Sequence, residues 1–227
     1  MSGRGIGTGV RGEKRRILIE IMDFLKIERL ALRNLMPQDA DIMFDYRNNE
    51  ICSRYQKGQT KDYAEIAKMI ERRRADVLSA EAPFMVAVAL KETDEMTGEI
   101  VVKPKADTIE LGYTFSYKYH RHGYAFEALT VLIDQLHRMA PDRAFICFVE
   151  PQNIASMVLL RKLGYRDMGY VPEMESQLFG QWTKADEEKK RDGEEKEGAR
   201  ITGEKDKTLL QSSVLTNDGT GYNIIVR

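Results

Sequence analysis

Apolar positions along this chain alternate between two spacings, and the switches mark its elements. Residues 84–90 and 98–102 are β-favouring runs around the polar turn 91–97, which predicts a hairpin. Residues 109–117, Ile109-Glu110-Leu111-Gly112-Tyr113-Thr114-Phe115-Ser116-Tyr117, form an apolar and aromatic strand-like run, with Gly112 consistent with a bulge inside it. Ala125, Leu129, Leu132, Ile133 and Leu136 then recur at helical spacing until Pro141 stops the pattern. Residues 143–149 are continuously apolar, as in a strand covered on both faces. Asn153 suits the N-cap of a following helix and Gly164 its C′ position. Upstream, Pro37 suits the first turn of a helix running to about Asn48. Thr60 is placed to cap another helix, with Tyr63, Ile66, Ala67 and Ile70 on one face. Strand, helix, strand, helix, strand makes two consecutive β-α units, and the fold class expected is α/β.

The junction at residues 118–125 carries candidate chemistry. A strand, a glycine-containing loop and a helix N-terminus can hold a phosphate, because the N–H groups of the first helical turn have no intrahelical acceptor and the dipole favours an anion. Gly123 and Ala125 let an anion approach, while Lys118, Arg121 and His122 add positive charge. An ordinary strand-to-helix turn in an α/β core fits the same residues.

Charge and cysteine content narrow the classes. The formal net charge is −1, so bulk electrostatics argue for neither nucleic acid nor a membrane surface. The two cysteines, Cys52 and Cys147, lie far apart, and the three histidines make no metal-ligand spacing; reduced thiols, no metal and a cytoplasmic setting are expected. Residues 1–22 are glycine- and arginine-rich and are expected to form a flexible extension ahead of a domain at 23–182. Between Lys184 and Lys207, 17 of 24 residues are charged, 8 basic and 9 acidic. That density cannot bury a core, so 183–227 is expected to be a charged segment, disordered or helical, with 208–215 and 222–226 as late strand candidates.

Leu111-Gly112-Tyr113, the basic loop with Gly123-Tyr124-Ala125, Asn153-Ile154-Ala155-Ser156 and Lys162-Leu163-Gly164-Tyr165 occur in an order that closely resembles the GNAT superfamily of N-acetyltransferases. The nearest branch is the ribosomal-protein alanine acetyltransferase-like one. Leu30-Ala31-Leu32-Arg33-Asn34-Leu35 with Asp39-Ala40 resembles that branch's first strand and helix, and Gly180-Gln181-Trp182 its glycine-x-tryptophan segment. The resemblance covers about residues 26–182. It implies a mixed, mostly antiparallel sheet splayed at its middle with helices on both faces. It also implies acetyl-CoA as co-substrate, a primary-amine acceptor (a protein N-terminus or a small molecule), and a monomer or homodimer.

The resemblance implies roles residue by residue. The pyrophosphate loop falls on His120 to Ala125, with Arg121, His122, Gly123, Tyr124 and Ala125 contributing; His120 stands where the family has Arg or Gln. The pantetheine arm would pair with backbone around Phe115, Ser116 and Tyr117, and Asn153 would face it from the opposite wall. A neutral amine must attack the thioester. An α-amino group, with a pKa of about 7.7–8.0, is roughly one-tenth neutral at pH 7, and a lysine far less. Glu110 is the candidate general base, with a solvated strand carboxylate as the alternative reading. Ser156 is the candidate general acid, and a backbone N–H near Phe115 would hold the oxyanion. Tyr46, Arg54 and Tyr55 would wall the acceptor pocket. Many superfamily members carry a tyrosine where this chain has Leu160, though the nearest branch commonly lacks it, and relatives carry a glutamate where this chain has Met168. Those departures keep a second reading open, a degenerate domain that binds acyl-CoA or a partner without turnover. The family's final strand is expected after Trp182, where the charged run stands instead; a lost strand would leave an open sheet edge.

Overall fold

The computed structural model describes residues 23–181 and 225–226. Trp182, the 1–22 extension, the charged run and the strand candidate at 208–215 lie outside the described residues. The elements in chain order are β1 (Asp23–Lys26), β2 (Leu30–Arg33), α1 (Asp39–Asn48), α2 (Glu50–Ser53), β3 (Gln56–Lys57), α3 (Tyr63–Arg73), β4 (Phe84–Leu90), β5 (Met96–Pro104) and β6 (Thr108–Phe115). They continue with α4 (Tyr124–Met139), β7 (Ala144–Val149), α5 (Ile154–Lys162), β8 (Arg166–Val171), β9 (Ser176–Gln181) and β10 (Ile225–Val226).

Eight strands make one sheet in the order β1-β2-β4-β5-β6-β7-β9-β8. Every neighbouring pair is antiparallel except β6–β7, which run parallel. Period-two alternation explains the layers. Val86 and Val88 of β4 face a core shared with Leu129, Leu132 and Leu136 of α4, whereas Met85 and Ala87 face Met43 of α1 and Ile66 and Ile70 of α3. The central strands are therefore apolar on both sides, and the α/β architecture with helices on both faces is the one expected.

Three local expectations are corrected. Asp62, not Thr60, caps α3: its side chain accepts from Glu65 N at 2.9 Å. The buried face of α3 is Ile66, Met69 and Ile70, and Ala67 is exposed. Gly112 makes no bulge, because β5 and β6 pair in unbroken register from Gly98↔Phe115 to Pro104↔Ile109.

A further correction concerns the last strand of the sheet. It is β9, which precedes Trp182 and inserts between β7 and β8 with antiparallel register on both sides. Among the described residues, β9 fills the place between β7 and β8. Of residues 222–226, Ile225–Val226 pair antiparallel with β3 in a separate two-stranded ribbon. A chain ending after Trp182 is accordingly expected to fold, with a cooperative thermal transition within a few degrees of the full chain, as circular dichroism would show. Loss of the transition would mean that residues beyond 182 complete the core. Among the described residues, no helix is long and apolar enough to cross a membrane.

Candidate active site

The parallel pairing of β6 with β7 covers only Thr108↔Ala144, Ile109↔Phe145 and Glu110↔Ile146. Beyond Glu110 the two strands part. β7 is held on its far side by β9 through Val149↔Gln177, so the gap between β6 and β7 is a true splay. Antiparallel strands send successive residues' polar groups to alternate sides. Ser116 N donates to Thr97 O at 2.8 Å, which fixes the phase: Gly112 and Thr114 bond to β5, and the N–H and C=O groups of Leu111, Tyr113 and Phe115 point into the splay.

Two of those carbonyls are met by side chains. His120 Nε2 donates to Phe115 O at 3.0 Å, and Cys52 Sγ approaches the same oxygen at 3.4 Å. Gln56 Nε2 donates to Tyr113 O at 3.4 Å. His120 therefore turns back onto the strand instead of toward the helix N-terminus. Ser116 is fully buried; its N–H is spent on Thr97 and its O accepts from Tyr119 N. Tyr117 begins a short 3-10 turn, Tyr117–Tyr119, leading into the loop.

The splay opens toward the N-terminus of α4. Gly123 is the N-cap with φ +81°, a left-handed conformation suited to glycine, and Arg121 holds φ +66° two residues earlier. Alternating left-handed residues of this kind turn successive N–H groups toward a common point. The helical ladder begins with Glu127 N donating to Gly123 O at 3.0 Å, so the N–H groups of Tyr124, Ala125 and Phe126 precede it and face outward. Arg121, His122 and Gly123 are exposed. The His122 ring stacks on Tyr124, while Lys118 is drawn off to Asp45 at 3.0 Å.

One cation that sequence reasoning missed joins the loop. Arg29 Nη1 donates to His122 O at 3.0 Å, its Nη2 pairs with Glu127 at 2.6 Å, and its guanidinium lies over the Tyr124 ring. Nothing local signals this contact, because Arg29 and Glu127 are 98 residues apart.

On the opposite wall Asn153 is the N-cap of α5, its side chain accepting from Ser156 N at 3.2 Å. Ser156 Oγ lies 2.7 Å from the hydroxyl of Tyr113 on β6, a bond that crosses the splay. The motif Leu111-Gly112-Tyr113 by itself gives Tyr113 no site role, although its alternation with Leu111 and Phe115 puts it on the α4–α5 face. It is partly exposed, yet burial of its surroundings pushes its ionisation far above the ordinary tyrosine range, with Cys147 adding to the rise and the Ser156 bond opposing it.

Glu110 lies at the last paired register below the splay, on the face of α1 and α3. Its carboxylate is 3.4 Å from Lys103 Nζ and 3.5 Å from Lys105 Nζ, with 14 % of the side chain exposed. Of the residues expected at the acceptor pocket, Arg54 is exposed and Tyr55 half-buried. Tyr46 is fully buried in the core beneath α1, because it shares the inward face with Met43, and so offers no pocket surface. The segment between α2 and α3 is pinned from below. Gln59 Nε2 donates to Glu99 (2.7 Å) and Thr114 Oγ1 (3.2 Å), and Glu99 is paired with the buried Arg47 at 2.6 Å.

Comparison with known proteins bears on this geometry. A family model described as "Acetyltransferase (GNAT) domain" matches residues 29–166, more than half of the chain. The chain belongs to the GNAT acetyltransferase family. It is therefore an acyltransferase of that family. An uncharacterized N-acetyltransferase, p20 of Bacillus licheniformis, is 27% identical over 158 residues, covering 68% of this chain and 88% of the relative. A GNAT-family acetyltransferase from Bacillus anthracis has a similar fold, with a TM-score of 0.58 at 21% identity over 69% of this chain and 95% of that one. RimL, a ribosomal L7/L12 alpha-N-protein acetyltransferase solved in complex with coenzyme A, has a TM-score of 0.60 at 14% identity over 72% of this chain and 99% of that one.

Proposed function

We propose that this GNAT domain transfers the acetyl group of acetyl-CoA to a primary amine by direct attack within a ternary complex. The observation that carries this reading is the continuity of the splay with the α4 N-terminus. Inward-facing N–H groups at Tyr113 and Phe115 lead along β6 to outward N–H groups at Tyr124, Ala125 and Phe126. An extended amide-bearing chain ending in phosphates matches that sequence of donors. The α4 N-terminus takes the pyrophosphate, helped by its dipole and the Arg29 guanidinium. The Phe115 N–H is oriented to receive the oxyanion that forms on the thioester carbonyl. Ser156, across the splay, donates a hydrogen bond to the departing sulfur. Glu110, on the acceptor face, takes the proton from the incoming ammonium through a water.

A second reading, CoA binding without turnover, is favoured by one observation: Glu110 is already engaged by two lysine ammoniums. Thiol release from acetyl-CoA separates the two readings, measured with a peptide N-terminus, a polyamine and a free amino acid as acceptors. Amine-dependent release above background hydrolysis supports transfer; saturable CoA binding with no amine raising thiol release supports the alternative. For the base, Glu110→Gln is expected to lower kcat by about 10²-fold or more with a lysine-like amine. The loss should shrink as pH rises and the acceptor becomes neutral unaided. An unchanged pH–rate profile between pH 6 and 9 would remove Glu110 from the chemistry.

A further inference from the structure

Tyr113 has no part in the reaction as described, yet its hydroxyl meets Ser156 Oγ at 2.7 Å across the splay, between residues 43 apart in sequence. We infer that Tyr113 is a positioning residue, whose hydroxyl donates to Ser156 Oγ and so turns the Ser156 O–H toward the sulfur of bound CoA. This rests on the acetyl-CoA reading above. The donor assignment follows from hydroxyl chemistry. A serine hydroxyl carries one proton and two lone pairs, so when it accepts from Tyr113 its own proton stays available for a further acceptor. Were Ser156 the donor instead, its proton would be spent on the phenol and none would be left for the sulfur. Burial keeps the Tyr113 phenol in its protonated, donating form. The serine backbone is fixed as well, because Ser156 N is held by the Asn153 cap and Ser156 is 7% exposed. Both ends are anchored on rigid elements, one on β6 and one on the first turn of α5, and the serine proton is left for an acceptor in the cleft.

Tyr113 neither gains nor loses a proton in this scheme. The amine attacks the thioester carbon, the C–S bond breaks, and the proton shed by the amine ends on sulfur or in water. Ser156 stabilises the sulfur anion while it exists, and Tyr113 keeps that hydrogen bond aimed.

The test uses the full chain, wild type, Tyr113→Phe, Ser156→Ala and the double variant. Each is titrated with CoA and with desulfo-CoA at pH 9, close enough to the pKa of a free thiol (about 8.5 for cysteine) for part of the CoA to be thiolate. Wild type is expected to prefer CoA several-fold, and both single variants are expected to lose that preference. In turnover, Tyr113→Phe is expected to lower kcat about tenfold with the KM for acetyl-CoA within twofold. The double variant is expected to be no slower than Ser156→Ala, since the two residues act as one unit. A merely structural tyrosine would lower the melting temperature and leave the sulfur preference intact. If Tyr113→Phe fails to fold, Ser156→Ala reads the same preference with the tyrosine in place. Binding without sulfur preference in wild type, or a preference that survives in either variant, overturns the inference alone. Binding of neither ligand overturns it together with the acetyl-CoA reading.

Discussion

Replacing Glu99 with alanine is expected to destabilise the fold by about 3–5 kcal/mol, a large share of the roughly 5–15 kcal/mol that holds a domain together. Glu99 is 1% exposed and its partner Arg47 is fully buried. The carboxylate accepts from Arg47 Nη2 at 2.6 Å, from Arg47 Nε at 3.1 Å and from Gln59 Nε2 at 2.7 Å. Removing it strands a guanidinium that cannot neutralise itself, with Thr60 O, the Met69 sulfur and the Tyr46 side chain, none of them charged, beside it. The cost comes from the charge left behind more than from the bond removed. Replacing both residues by apolar ones of similar size, Arg47→Met with Glu99→Leu, should therefore recover most of the loss. Urea denaturation checks this, since the midpoint should fall in Glu99→Ala with little change in slope. The same variant should loosen residues 56–60, because Gln59 ties that segment to both Glu99 and Thr114. Acceptor KM is expected to rise more than the KM for acetyl-CoA.

Gly123→Arg is expected to weaken acetyl-CoA binding at least tenfold, a change of about 1.4 kcal/mol. Two effects combine. A residue with a Cβ at φ +81° is strained by roughly 1–2 kcal/mol. The new side chain also starts 3.6 Å from Arg29 Nη2 and fills the approach to the first-turn N–H groups. Gly123→Ala separates these effects, because its Cβ meets Arg29 only at ordinary contact distance. It should lose thermal stability while keeping much of its affinity. Calorimetric titration of both variants with CoA reads the difference, and equal affinities for Gly123→Arg and wild type would remove the α4 N-terminus from the binding site.

What the chain disclosed in advance was local. The α4 stripe, the Asn153 cap and Gly164 (φ +91°, N–H to Arg161 O) depend on neighbours within a few residues, so spacing and capping chemistry identify them. What it concealed was long-range. Ser176–Gln181 has no strong β pattern, and its place between β7 and β8 is decided by pairing with both of them. The sequence pattern alone therefore points to a last strand beyond Trp182. Arg47 and Glu99 look like surface charges until the fold brings them together across 52 residues. The Thr60 and Asp62 choice was legible: Asp62 precedes Glu65 by three residues, the spacing of a capping box, and Thr60 lacks such a partner. At the site, the chain named both walls of the splay but not the bond between them. Tyr113 and Ser156 meet only because β6 and α5 are set opposite each other.

The most direct measurement is thermal unfolding of the purified full chain titrated with acetyl-CoA, CoA and ATP. A cleft that binds CoA through both the splay and the α4 N-terminus predicts stabilisation by acetyl-CoA and CoA, approaching about 2.7 kcal/mol at a hundredfold excess over Kd, and none by ATP. No shift with either CoA species, or an equal shift with ATP, would contradict it.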